Sequence, residues 1–420
     1  MIARIKPTGR LCGKVRLPSS KSAAHRALIA AALATGTSRI YGIDLSNDIS
    51  ATIDGLRALG ATVNIGDGVI EAVGIEPVKQ AVSINCGESG STLRFLIPIA
   101  AAYGIEATFY GSGRLPERPL DEIVSLLKAS GIECEHPQGL SLPLKIRGRI
   151  KPDEYVMSGA VSSQYITGML FALCAMGGGS IRLKDTLQSA GYVDMTVDTL
   201  CRFGADIAAQ DGSFTVKNGP SPCDITVEGD WSQAAFFLSA ATLGGSIALE
   251  GLDSNSVQGD SACVELFSQM GCKIEWRDGI LYAEKDELRP IEVDASQIPD
   301  MVPALAATMA FLKGKSHIYN AARLRLKESD RLAAMADGLT RMGVECSLTD
   351  DSITVVGSDV KGAGISGYND HRIVMAFSVA ACFAEGESEI SDPQAISKSY
   401  PDFFKDYQSI GGDANVIRNR

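Results

Sequence analysis

The chain has 420 residues, of which 45% are hydrophobic and 21% charged, at a mean hydropathy of +0.08; this is a globular composition with material for two or more cores. Asp and Glu outnumber Lys and Arg by 50 to 39, a net charge of -11, which argues against nucleic acid, since binding a phosphate backbone rests on basic surface. The longest apolar stretches, such as MVPALAATMAFL at 301–312, fall short of the roughly 18 residues of a membrane helix, and the start MIARIKPTGRLCGKVRLP lacks the apolar core of a secretory leader, so a cytoplasmic protein with no membrane partner is expected.

Ten scattered cysteines without a C-x-x-C pair read as small buried residues, not as a disulfide frame or zinc site. His25, His136, His317 and His371 form no i, i+4 pair, and no metal is expected.

Along the chain, one helix type recurs that is rich in Ala and Leu and apolar nearly all round: SKSAAHRALIAAALATG at 20–36, GESGSTLRFLIPIAAAYG at 87–104, SGAVSSQYITGMLFALCAMGG at 158–178, VEGDWSQAAFFLSAATLGG at 227–245, IPDMVPALAATMAFLKG at 298–314 and YNDHRIVMAFSVAACFAEG at 368–386. Helices apolar on every face are buried. Between them a second type ends at a glycine and runs into a strand: LRALGATV, LKASGIEC, LCRFGADI, FSQMGCKI, LTRMGVEC and YQSIGGDA. The glycines, Gly60, Gly131, Gly204, Gly271, Gly343 and Gly411, are 71, 73, 67, 72 and 68 residues apart, and each is placed where the left-handed conformation closes a helix. Short β-branched runs such as VRLP, TVNI, SIRL, FTVK, SIALEG and SITVVG fill the remainder. The prediction is an α/β protein of six repeats, each with two helices and several strands, the buried helices at the centre.

A buried helix start has unpaired N–H groups and a positive dipole end, which together suit an anion. A Ser or Asp there is first of all a cap. Capping does not explain Lys21, Arg26, Arg94 and Arg372, which stand in or near such first turns, nor Arg118, Lys327, Arg331 and Lys398, which stand before or at the start of the Gly-ended helices. Eight cations set against local preference in an acidic chain point to small anionic ligands.

The segments SSKSAAHR, GESGSTLR, LPERP, VSSQ, VEGDWSQAAFFLSAA, NSVQGD, LKESDR, NDHR and SKSYPDFF occur in an order that resembles the 5-enolpyruvylshikimate-3-phosphate synthase family (3-phosphoshikimate 1-carboxyvinyltransferases) along essentially the whole chain. The resemblance implies an enolpyruvyl transferase fold of two domains, 1–20 with 228–420 and 21–227, each made of three βαβαββ-like repeats around buried parallel helices, with the active site in a cleft that closes on substrate. It implies transfer of the enolpyruvyl group of phosphoenolpyruvate to the 5-hydroxyl of shikimate 3-phosphate through a tetrahedral intermediate, with release of phosphate, on the path to chorismate and aromatic amino acids. It further implies no cofactor, small anionic substrates as the partners, a monomer, and a phosphoenolpyruvate pocket that glyphosate also occupies.

By position in the matching motifs, Lys21, Ser22, Arg26, Ser162, Ser163, Gln164, Ser189, Tyr192, Asp300 and Lys327 are the shikimate 3-phosphate residues that the resemblance implies. For phosphoenolpyruvate it implies Lys21, Gly90, Arg118, Gln164, Arg331, His371, Arg372 and Lys398, and for acid/base work Asp300 and Glu328 with Lys21. Plainer roles stand beside these: Asp300 as a helix cap, Glu328 in a solvated ion-pair cluster, Arg94 as a structural ion-pair partner, His25 and His371 as scaffold, Tyr192 as packing. The chain departs from the family pattern at Arg323, where many members carry Asn, and at Phe95, where one version of the pattern has Pro. A sister transferase acting on UDP-N-acetylglucosamine would carry a cysteine in the loop GSGRLPERP, which has none. A phosphate-loop kinase would need a glycine where Met309 stands before Gly314-Lys315-Ser316, and a non-catalytic repeat protein has no use for Asp300 and Glu328 beside so many cations.

Overall fold

The computed structural model describes residues 1–418, and the chain divides into two compact units: Ser19–Glu228, and Met1–Pro18 together with the residues from Gly229 onward. Among the described residues there are twelve α-helices and six four-stranded sheets.

The unit Ser19–Glu228 holds α1 (Lys21–Leu33), α2 (Asn47–Leu59), α3 (Gly90–Tyr103), α4 (Asp121–Ala129), α5 (Ser163–Met176) and α6 (Ala190–Arg202). The repeat around α3 shows the pattern. The strand Val82–Asn85 leads into α3, which returns the chain to Ala107–Tyr110, parallel to the first strand; α4 follows, then the antiparallel pair Glu133–Glu135 and Leu144–Arg147. A parallel pair needs a helix-length crossover and an antiparallel pair only a short connection, so here, and likewise around α5, the apolar helix is the crossover between parallel strands. In the first sheet the outer strand, Ile225–Thr226, comes from the far end of the unit and pairs with Thr37–Tyr41.

The other unit holds α7 (Trp231–Leu243), α8 (Cys263–Gln269), α9 (Val302–Met309), α10 (Arg331–Arg341), α11 (His371–Phe383) and α12 (Phe403–Ser409). It also closes on itself. The strand Cys12–Arg16 starts the sheet that follows α7, pairing with Ser246–Glu250, while Ile2–Lys6 lies between Ser388–Ser391 and Asp413–Ile417 in the last sheet.

Each unit has one apolar core, built around α1, α3 and α5 in the first and α7, α9 and α11 in the second; every residue of α7 is buried. The glycines after α2, α4, α6, α8, α10 and α12 all have positive φ, from 82° to 108°, as the repeat requires. Of the ten cysteines, five are buried, four are partly exposed and Cys201 is exposed, so the expectation of a buried set holds for half. Gly314-Lys315-Ser316 opens a β-strand, Gly314–Tyr319, rather than a phosphate loop.

Gly168 shows how closely the first core is packed. Pro98 lies within α3 and has no N–H to give the carbonyl of Arg94 four residues earlier. A Cβ on Gly168 of α5 would stand 2.3 Å from that carbonyl oxygen and 2.9 Å from Pro98 Cγ. Gly168→Ala is expected to destabilise the protein by about 1–3 kcal/mol, the usual cost of overpacking a core, seen as a lower urea midpoint at unchanged slope.

Candidate active site

In the unit Ser19–Glu228 the predicted side chains sit at the N-terminal ends of α1, α3 and α5. Ser20 caps α1 by accepting from the Ala23 N–H. Lys21 Nζ is 2.8 Å from the Asp48 carboxylate, both side chains mostly buried. Arg26, one turn further on, donates to the Ser22 carbonyl (2.7 Å), the Tyr192 carbonyl (2.7 Å) and Thr196 Oγ1 (2.8 Å), with its guanidinium 5.5 Å from the centre of the Phe95 ring. Burial pushes Arg26 down to about 10, still cationic at neutral pH. Ser189, in the left-handed region at φ 54° just before α6, accepts at its carbonyl from the Tyr192 N–H at 3.2 Å, so Ser22, Arg26, Ser189 and Tyr192 form one bonded group.

At α3, Ser89 caps the helix, and a Cβ on Gly90 would stand 2.6 Å from one Arg118 terminal nitrogen and 2.7 Å from one of Arg94. Arg118 is buried and follows the turn Leu115–Glu117. Arg94 donates to the Pro119 carbonyl at 3.2 Å and lies over Tyr165 at 5.6 Å; among the described residues it has no carboxylate partner, so the ion-pair role is not what holds it. Ser162 caps α5, Ser163 begins it, and Gln164 donates to Ser91 Oγ at 3.0 Å, tying the start of α5 to that of α3. Behind these residues a hydrogen-bonded chain runs from His25 Nδ1 to Thr52 (2.7 Å), Thr92 (2.6 Å) and Ser89 (2.7 Å), which confirms His25 as scaffold.

In the second unit the predicted residues meet in an ion cluster around Arg331, the first residue of α10, whose side chain is 1% exposed. Its Nε donates to Asp370 at 2.8 Å, one terminal nitrogen to Asp300 at 2.9 Å and the other to Glu328 at 2.6 Å. Arg372, on the first turn of α11, reaches the Asp300 carboxylate (3.2 Å), the Asp300 carbonyl (2.9 Å) and Ser232 Oγ (3.0 Å). Lys327 is 3.2 Å from Asp300. Burial alone would push the Asp300 carboxyl up, but Arg372, Lys327 and Arg331 hold it well below the usual carboxylate range. Burial would likewise lower Arg331, yet Asp370, Glu328 and Asp300 take it well above its ordinary value.

Asp300 lies in the 3-10 turn Pro299–Met301, not at a cap, and Glu328 bonds a buried guanidinium rather than a solvated one, so the plainer roles do not describe either. His371 is buried with Nδ1 3.9 Å from Asp370. Lys398 is buried at the end of the turn Pro393–Lys398, its Nζ against the Asn369 carbonyl. Arg323 donates to the Ser296 carbonyl at 2.8 Å.

A family model described as "EPSP synthase (3-phosphoshikimate 1-carboxyvinyltransferase)" matches residues 5–407. The chain belongs to the EPSP synthase family. As a member it is a transferase of the shikimate pathway, moving the enolpyruvyl group of phosphoenolpyruvate to shikimate 3-phosphate. A 3-phosphoshikimate 1-carboxyvinyltransferase of Clostridium kluyveri is 40% identical over 418 residues, 97% of each chain, and one of Clostridium acetobutylicum 41% identical over 415 residues, 96% of each. The EPSP synthase structure of Acinetobacter baumannii superposes with a TM-score of 0.82 at 26% identity, covering 99% of this chain and 100% of that one.

Four polar residues bonded to the predicted side chains lay outside the sequence reading: Asp48 and Ser91 in the unit Ser19–Glu228, and Ser232 and Asp370 in the other. Asp370 is fully buried, caps α11 through the Arg372 N–H, and also takes Ser329 Oγ at 2.9 Å. The signal for it was only an acidic residue before an apolar helix, which reads as a cap.

Burial, with Lys21 and Arg26 nearby, holds His25 well below its ordinary value. Its folded form is therefore neutral, and the stability this confers is complete above an unfolded-state pKa near 6.5 and is lost as pH falls below it, because the unfolded chain takes up the proton first. The urea midpoint is expected to fall between pH 7 and 5.5, with a limiting slope of about 1.4 kcal/mol per pH unit from this group. His25→Gln should flatten that segment of the curve.

Proposed function

We propose that residues of both units serve the one transfer, with the helix starts of Ser19–Glu228 gripping the anionic substrates and the Arg331 cluster handling phosphoenolpyruvate and the protons. On this reading Lys21, Ser22, Arg26, Ser162, Ser163, Gln164, Ser189, Tyr192 and Lys327 hold shikimate 3-phosphate. Gly90, Arg118, Arg331, Arg372 and Lys398 form the phosphoenolpyruvate side, with Lys21 and Gln164 shared and His371 adjacent. The observation that carries the proposal is that Asp300 and Glu328 both bond one buried guanidinium, which fixes two carboxylates beside three cations. The enzyme is proposed to act as a cytoplasmic monomer; no helix among the described residues is long and apolar enough to cross a membrane.

The reaction needs two proton movements. The 5-hydroxyl loses its proton as its oxygen bonds C2 of phosphoenolpyruvate, and C3 gains one, giving a tetrahedral intermediate with a methyl group. C3 then returns a proton as the C2–O bond to phosphate breaks and the enol ether forms. Asp300, kept ionised by its three cations, orients the hydroxyl, while Glu328 and Lys21 exchange protons with the reacting centre. Phosphoenolpyruvate brings its own carboxylate, so it competes with Glu328 for Arg331 and frees that side chain when it binds.

Glu328→Gln is expected to lower kcat at least about a hundredfold, within the 10²–10⁴ that acid/base groups supply. Because Glu328 is a competitor for Arg331, the same change should leave shikimate 3-phosphate binding within a few fold and should not weaken phosphoenolpyruvate. Steady-state kinetics with calorimetry on the folded variant checks both; near-normal turnover removes Glu328 from proton transfer.

Gly90→Ala places a methyl against the Arg118 and Arg94 guanidinium groups. Glyphosate, competing with phosphoenolpyruvate and extending further toward this glycine, should lose more affinity than the substrate, read as a rise in the ratio of its inhibition constant to the phosphoenolpyruvate KM. An unchanged ratio would assign Gly90 to helix-start geometry alone.

A further inference from the structure

We infer that Arg325 is a positioning residue of this reaction, whose guanidinium fixes the short loop presenting Lys327 and Glu328. The inference rests on the roles proposed above for those two side chains. Between the turn Ala322–Leu326 and α10 lie residues 327–330. Arg325 spans this stretch from below: one terminal nitrogen bonds Asp330 Oδ2 at 2.7 Å, the other donates to the Thr349 carbonyl at 2.7 Å, and Nε donates to the Asp350 carbonyl at 2.9 Å.

Each partner of the guanidinium is itself held. Asp330 uses its second oxygen to cap α10, accepting from the Ala333 N–H at 3.0 Å. The turn at 349–352 is braced by Thr349 Oγ1, which donates to Asp351 at 2.9 Å and is 2.7 Å from Ser352 Oγ, and the Ala321 N–H donates to the Asp351 carbonyl at 2.7 Å. In the turn before the loop Leu324 is buried, but Leu326, next to the loop, is 53% exposed. The loop's other ties include the Lys327 N–H to the Leu324 carbonyl at 3.4 Å, Ser329 Oγ to Asp370 at 2.9 Å, and the bonds of Lys327 to Asp300 and Glu328 to Arg331. Without Arg325 the loop would keep these ties but lose the bonds that join its entry to Asp330 and to the turn at 349–350, and about 1 Å of misplacement can cost on the order of a hundredfold in rate. The Arg325–Asp330 pair is 31% and 35% exposed, and exposed pairs contribute little to stability, so its loss should register in turnover before it registers in melting.

The test is Arg325→Ala in the full chain. The expected result is a kcat lowered about tenfold or more, a KM for shikimate 3-phosphate raised less than about fivefold, and a melting temperature within a few degrees of wild type. Millimolar guanidinium ion should restore part of the lost kcat in the variant and none in the wild type. Arg325→Lys, which keeps a charge for Asp330 but not the fork to the two carbonyls, should fall between. Asp330→Asn retains a good helix cap and should lower kcat too, while the double variant is no slower than Arg325→Ala. A kcat within twofold of wild type overturns the inference, as does a loss that tracks the unfolded fraction and resists guanidinium. If Glu328→Gln loses turnover but Arg325→Ala does not, only the positioning role fails; if Glu328→Gln keeps its turnover, the underlying assignment of Glu328 fails instead.

Discussion

A guanidinium withdrawn from water must be matched in charge and in direction, and the second unit is organised around that demand at Arg331. Asp370, Asp300 and Glu328 approach its three nitrogens from three different segments of the chain. Such a pair adds little net stability, since desolvation offsets most of the Coulombic gain, but removing one partner leaves an uncompensated buried charge. The cluster is therefore better understood as geometry than as glue. Arg372 and Lys327 share Asp300 with Arg331, so one displacement in the set is felt by all of its members.

The repeat was legible because it rests on local rules. A glycine with φ near 90° closes a helix whatever surrounds it, and six of them at near-constant spacing mark six repeats. The apolar helices were equally plain, since no solvent-facing helix carries Ala and Leu on all sides. What local pattern cannot give is partnership over distance. Ile225–Thr226 and Gly364–Ile365 are strands of two residues, too short to show alternation, and nothing in IARIK states that it pairs with segments near residues 390 and 415.

In the site, the cations stood out because they oppose the helix dipole, and motif order supplied the reading of Asp300 and Glu328. Asp48 and Asp370 did not stand out, for the opposite reason: an acidic residue at a helix start is what the dipole favours. Asp370 is a cap and an ion-pair partner at once, and the first role conceals the second. Phe95, a departure from one version of the family pattern, forms a floor beneath Arg26 and packs edge-on with His25 at 6.4 Å and Phe171 at 5.8 Å.

The strand Ile2–Lys6 is made long before either of its neighbours, Ser388–Ser391 and Asp413–Ile417. At synthesis rates of about 5–20 residues per second, it waits roughly 20 to 80 s for a partner. Ser19–Glu228 has all of its strands within its own limits and can fold in that interval. The leading segment must stay unpaired meanwhile, and its sequence suits the wait: Ala3 and Ile5 are its buried side chains, whereas Arg4 and Lys6 stay outside, the alternation of charge that discourages an open strand from joining another chain.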